Sequence, residues 1–91
     1  MKAEIEPLDD RKYYGTEVSI ADDTDAALGF VTIWIGGTHN PSHRELARLK
    51  RHNGDSEPTQ EDIDEWCCDS HYETETSLHI AELLVLAVNN P

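Results

Sequence analysis

Three residues in this chain have the types and spacing to hold a metal: Cys67, Cys68 and His71. Cys67 stands four positions before His71 and Cys68 three before it, and either spacing places sulfur and nitrogen on one face of a helix. Thiolate and imidazole are the donors of structural zinc, which closes its site with four ligands. The chain has no Cys-x-x-Cys pair to complete the set, and Pro41 stands between His39 and His43, interrupting any single helix that would carry both. The simpler reading packs Cys67 beside Trp66 as a small apolar residue, with Cys68 incidental. On that reading the protein needs no metal and no other cofactor. A small metal-stabilised adaptor using Cys67, Cys68 and His71 is the alternative.

A second stretch with chemical potential is Gly36-Gly37-Thr38-His39-Asn40-Pro41-Ser42-His43. A glycine pair that leaves a strand just before a helix can present backbone N–H groups to an anion. The stretch lacks the glycine spacing and the lysine of phosphate loops and dinucleotide fingerprints. No Gly-x-Ser-x-Gly nucleophile motif occurs, and carboxylates are too numerous for any pair to stand out as acid and base. The chain is therefore read as not an enzyme, with a small enzyme working at the 36–43 turn as a further alternative.

Charge is the more informative property. Nineteen Asp and Glu against seven Lys and Arg give a net charge of −12 at pH 7. Residues 55–75 contain Asp55, Glu57, Glu61, Asp62, Asp64, Glu65, Asp69, Glu73 and Glu75 with no lysine or arginine among them. Such a field repels nucleic acid and anionic membrane and attracts basic protein surfaces. Carboxylates a few ångströms apart on a rigid helix can imitate the phosphates of a duplex, which carries one charge per ~1.7 Å of axis. The expected partner is a basic protein, part of a nucleic-acid-binding complex, met through Glu57, Glu61, Asp62, Asp64, Glu65, Asp69, Glu73 and Glu75. Direct contact with nucleic acid or membrane is not expected. The competing reading is an acidic face that is only solvated.

In size, charge and lack of catalytic motifs the chain resembles, in kind, the small acidic proteins with which phages and other mobile elements inhibit host defence, anti-CRISPR proteins and DNA mimics among them. The resemblance implies a non-catalytic inhibitor that occludes a nucleic-acid-handling partner. It rests on no motif, so it assigns no individual residue.

The elements that must position these residues follow from patterning. Ninety-one residues form a single domain, 1–91, with a modest core. The sequence predicts an α+β fold: a small antiparallel sheet of two or three strands at about 2–6, 12–20 and 29–36, followed by three helices at about 41–53, 59–68 and 70 or 77 to 89. Apolar bulk on both faces of 29–36 predicts a central strand. The nearly uninterrupted apolar run at 77–90 predicts a core helix packed on that strand, with Leu83 buried and only His79, Glu82 and Asn89 on a polar stripe. Asn40 followed by Pro41 predicts the start of the first helix. Arg44, Arg48, Lys50, Arg51 and His52 within that helix predict a basic patch. Thr59 with Asp62, and Ser70 with Glu73, have capping spacing. The first residues carry no export-like apolar run and the two cysteines are adjacent, so reduced thiols in a cytoplasm are expected.

Overall fold

The computed structural model describes residues 1–8, 15–35, 40–68 and 72–90. Strands β1 (Lys2–Ile5), β2 (Thr16–Ala21) and β3 (Ala27–Ile33) precede helices α1 (His43–His52), α2 (Gln60–Cys67) and α3 (Glu75–Asn89). Both strand pairs are antiparallel, and the fold is α+β as the patterning indicates.

Directly opposed residues share a face of a sheet. The register places Ala3 opposite Ile20, Ile5 opposite Val18, Val18 opposite Val31 and Thr16 opposite Ile33. These residues form one face, and α3 lies on it. Ala3, Val18 and Ala81 are buried at its centre, with Ile5, Ile20, Ile33, Leu84, Val85 and Val88 packed around them. The alanine at position 81 brings the helix close to the sheet. Where the helix and strand side chains meet toward α1, the buried contact turns polar, and the hydroxyls of Thr16 and Ser77 lie 2.9 Å apart.

The sheet order β1-β2-β3 corrects the expectation for the strongest strand. Consecutive strands joined through short connections pair with their sequence neighbours, so β2 is central and β3 lies at an edge. Phe30 and Val31 are exposed there, although their bulk read as a sign of burial on both sides, and Leu28 is exposed beside them. Helix α3 sits nearest β1, next to β2, and reaches β3 least. Its anchor on β1 is Asn89, whose Oδ1 accepts from Ala3 N at 2.8 Å and whose Nδ2 donates to Ala3 O at 3.0 Å. A second correction concerns Leu83. It is 52% exposed, and Ile80 and Leu86 are exposed with it, so the outer face of α3 is far more apolar than the expected narrow stripe.

Caps explain where the helices begin. Helix α1 starts two residues later than Asn40-Pro41 suggests, because Ser42 is the N-cap and its Oγ accepts from Glu45 N at 3.0 Å. Pro41 instead pairs with Thr74 in an isolated bridge, supported by Ser42 N to Glu73 O at 2.9 Å and Glu75 N to Asn40 O at 3.1 Å. Gly54 follows the C-terminus with φ of 66°, a conformation that suits glycine. Helix α2 has the expected reciprocal cap between Thr59 and Asp62. Helix α3 begins at neither anticipated point: Thr74 is its N-cap in a reciprocal cap with Ser77, while Ser70 lies outside the described residues.

The molecule is elongated, 44 × 25 × 18 Å. Helices α1 and α2 make few close approaches to the sheet and are tied to it mainly through the residues that enter α1 and α3.

Candidate functional site

Helix α2 carries the acidic surface. Glu61, Asp64 and Glu65 are exposed along it, and Glu57 is exposed just before it. Thr59 and Asp62 hold the first turn in place, with Thr59 N donating to Asp62 Oδ2 at 2.9 Å and Asn53 Nδ2 to the same oxygen at 3.2 Å. Asp62 is consequently half-buried and committed to the cap. Gln60 Nε2 donates to Asp64 Oδ1 at 2.9 Å across one turn. Among the described residues no lysine or arginine forms an ion pair with Glu61, Asp64 or Glu65. Glu57 is paired with Lys50 at 2.7 Å, and its hydrogen bond and charge raise the lysine's pKa above the usual value. An exposed pair of this kind adds little to stability.

Two of the predicted surface acids lie elsewhere. Glu75 sits at the first turn of α3 with Oε1 3.7 Å from His43 Nδ1. Glu73 is fully buried and leaves the surface set. Its Oε1 accepts from Ser42 Oγ at 2.5 Å and from Arg44 Nε at 3.1 Å, and its Oε2 from Arg44 Nη2 at 2.6 Å. Fork-like pairing of this kind is how a guanidinium best satisfies a carboxylate. Arg44 Nη1 also donates to Glu6 O at 3.1 Å, which ties α1 to the segment after β1. Asp69 lies outside the described residues.

Beside Glu73 stands Glu45, also fully buried. Its carboxylate accepts from Arg48, from Trp66 Nε1 at 2.7 Å and from Glu73 N at 3.0 Å. Arg48 lies over the Trp66 ring at 5.2 Å, and His52 packs at 5.2 Å on the same indole. Two buried glutamates, the buried Arg48 and the partly buried Arg44 thus form an ionic cluster that joins α1, α2 and the start of α3. Sequence reasoning missed it. The signal was the thin apolar content of α1, where only Leu46, Ala47 and Leu49 offer packing, together with Ser42 and Arg48 each three positions from Glu45.

The cluster also removes the expected basic patch. Arg44 and Arg48 turn inward to the buried glutamates and Lys50 reaches Glu57, leaving Arg51 and His52 as the exposed members of the predicted patch.

The cysteines separate. Cys67 is buried, bonded to Tyr72, and its thiol is pushed up by burial, whereas Cys68 is exposed. Tyr72 is raised too, by burial first and then by Cys67. Among the described residues no three His, Cys, Asp or Glu side chains are grouped to hold a metal ion, and His71 lies outside those residues. In the 36–43 turn, residues 36–39 lie outside as well; Ser42 is committed to capping and to Glu73, and His43 is exposed. Among the described residues, no helix is long and apolar enough to cross a membrane.

No family model, curated protein or solved structure matches the chain. Function therefore rests on the chemistry of its own surface.

Proposed function

We propose that this protein is a non-catalytic binding protein that presents α2 to a basic, nucleic-acid-handling partner and occludes that partner's groove, in the manner of anti-CRISPR inhibitors and DNA mimics. The observation that carries this reading is the contrast between the two helices. Glu61, Asp64 and Glu65 are exposed on α2 while the nearby arginines 44 and 48 are drawn inside by Glu73 and Glu45. Two of the cations that would ordinarily quench an acidic face, Arg44 and Arg48, are thereby committed to buried carboxylates.

A shallow groove between α1 and α2, lined by Leu49, His52, Asn53, Asp62, Glu65 and Trp66, opens beside these carboxylates. It places the exposed Glu65 carboxylate beside an aromatic wall, where an arginine from the partner would find an acceptor. The Lys50–Glu57 pair is exposed enough to exchange partners at little cost.

The triple variant Glu61→Lys, Asp64→Lys and Glu65→Lys tests the reading. Each site is exposed, so each change should alter stability by no more than ~0.5 kcal/mol and leave the circular dichroism spectrum unchanged. Capture of the basic partner should be abolished. Wild-type capture should weaken steeply with salt as the Debye length shrinks from about 10 Å at 0.1 M to about 3 Å at 1 M. Undiminished capture by the folded triple variant would place the binding surface elsewhere.

A further inference from the structure

The two edges of the sheet are treated differently. At β1 the outward N–H and C=O of Ala3 are occupied by the Asn89 amide, and charged Lys2 and Glu4 flank it. Short length, charge and a covering group are the usual ways of closing an edge strand to other chains. The β3 edge has none of them. Ala27–Ile33 contains no charged residue, and among the described residues no hydrogen bond from outside the sheet reaches Leu28, Phe30, Val31 or Thr32.

The direction of the open backbone groups follows from the ladder. Because Ala3 points away from β2, its partner Ile20 is not hydrogen-bonded across that pair, and alternation turns Val18 and Ile20 toward β3. Val18 then bonds Val31, so Phe30 and Thr32 direct their N–H and C=O to the open edge. Side chains add to this. Phe30 is 68% exposed on the face away from α3, and Val31 is exposed on the face beneath it. On α3, Ile80 lies half a turn around the helix from Asn89 at about 100° per residue. Asn89 marks the β1 side, so Ile80 borders the β3 side and Leu83, about 60° further round, stands beside it on the outer face.

We propose that β3 is a homodimer interface: two copies of this chain pair their β3 strands antiparallel about Val31, making one six-stranded sheet, with Ile80 and Leu83 of each copy closing over the junction. A second copy is the occupant these features fit. An antiparallel pair about a two-fold axis is self-complementary, so the same uncharged strand serves both sides. At −12 per chain, two copies can approach closely only where carboxylates are few; β3 itself carries none, and the acid opposite it in the register is Glu17, facing Thr32 from β2. The acids nearest it in sequence, Asp23 and Asp25, are already paired at 2.8 Å with the N-terminal amine and with Lys2. Leu28, Phe30, Val31, Ile80 and Leu83 are 38–68% exposed, and they offer about 500 Å² per chain, or about 1,000 Å² in all, the threshold for a specific interface.

Sedimentation equilibrium of the full chain over a rising micromolar concentration series tests the proposal. The expected result is the mass of two chains. Thr32→Pro removes an N–H that faces the open edge, so the β2–β3 ladder survives and the sheet should fold while the mass falls to one chain. Phe30→Lys should weaken association at least tenfold by setting ammonium groups near the axis, and it decides the matter if the proline variant does not fold. A wild-type protein that sediments as one chain throughout the series would overturn the proposal, as would a folded Thr32→Pro or Phe30→Lys variant that dimerises as tightly as wild type. Binding of a foreign protein at β3 with the wild type otherwise monomeric falls under the first of these outcomes.

Discussion

Glu45→Ala is expected to lower the unfolding free energy by about 3–5 kcal/mol, the usual cost of breaking a buried ion pair from one side. Glu45 is fully buried, and its two oxygens accept from Arg48, Trp66 Nε1 and Glu73 N. Truncation removes the Glu45 carboxylate from the buried Arg48 guanidinium and strips the acceptor from an indole N–H and a backbone N–H. It also opens space between α1, α2 and the start of α3, where little apolar packing is available to close it. Against a total of about 5–15 kcal/mol for a typical domain, such a loss leaves the folded state marginal. Glu45→Gln should lose less, since an amide keeps the volume and one acceptor while giving up the charge. Urea unfolding at a fixed chain concentration measures both. A loss below ~1 kcal/mol for the alanine variant would mean that the ionic cluster does not hold the helices to the sheet.

Gly15→Ala should be comparably damaging for a different reason. Gly15 enters β2 with φ of 110°, and a Cβ built there would lie 1.9 Å from the Ile33 carbonyl oxygen and 2.8 Å from its carbon. Both obstacles are backbone, so no rotamer change can relieve them. The φ value alone costs about 1–3 kcal/mol for a residue with a side chain, and the collision must then part β2 from the end of β3. Gly54→Ala is the internal control. Its φ is 66° but a Cβ there meets nothing within 4 Å, so the expected loss is only ~1 kcal/mol. Thermal unfolding should rank the two variants in that order. Equal melting temperatures would show that the approach of Ile33 to Gly15 does not constrain the sheet.

Both variants act on features that the sequence conceals in different degrees. Alternation at Thr16, Val18 and Ile20 and the apolar run of α3 are one-dimensional signals, and they were enough to read the α+β fold and the element order. Thr59 with Asp62 was legible for the same reason, because a cap is a local event. The position of β3 in the sheet was not. Hydrophobic bulk at Phe30 and Val31 reports a surface that wants covering, whereas the strand order decides whether the chain itself covers it. Leu83 was misread in the same way, since an apolar residue awaiting a partner looks like one that already has a place in the core.

The acidic face was legible only in part. Glu61, Asp64 and Glu65 are exposed as their spacing on α2 implies, but Glu73 has the same residue type and lies within the same run. What separates it is its neighbour in space, Arg44, twenty-nine positions away. Pairings between distant residues leave no periodic trace, and the turning of α1's arginines into the interior was hidden for that reason.

Mutual exclusion with nucleic acid tests the proposed occlusion most directly. The immobilised protein, loaded with its basic partner, is washed with duplex or single-stranded nucleic acid of the kind that partner binds, at constant ionic strength so that screening does not change. If α2 fills the partner's nucleic-acid groove, the nucleic acid should release the partner in proportion to its own affinity, and the partner already bound to the protein should fail to retain nucleic acid. A stable ternary complex of protein, partner and nucleic acid would contradict occlusion of that groove.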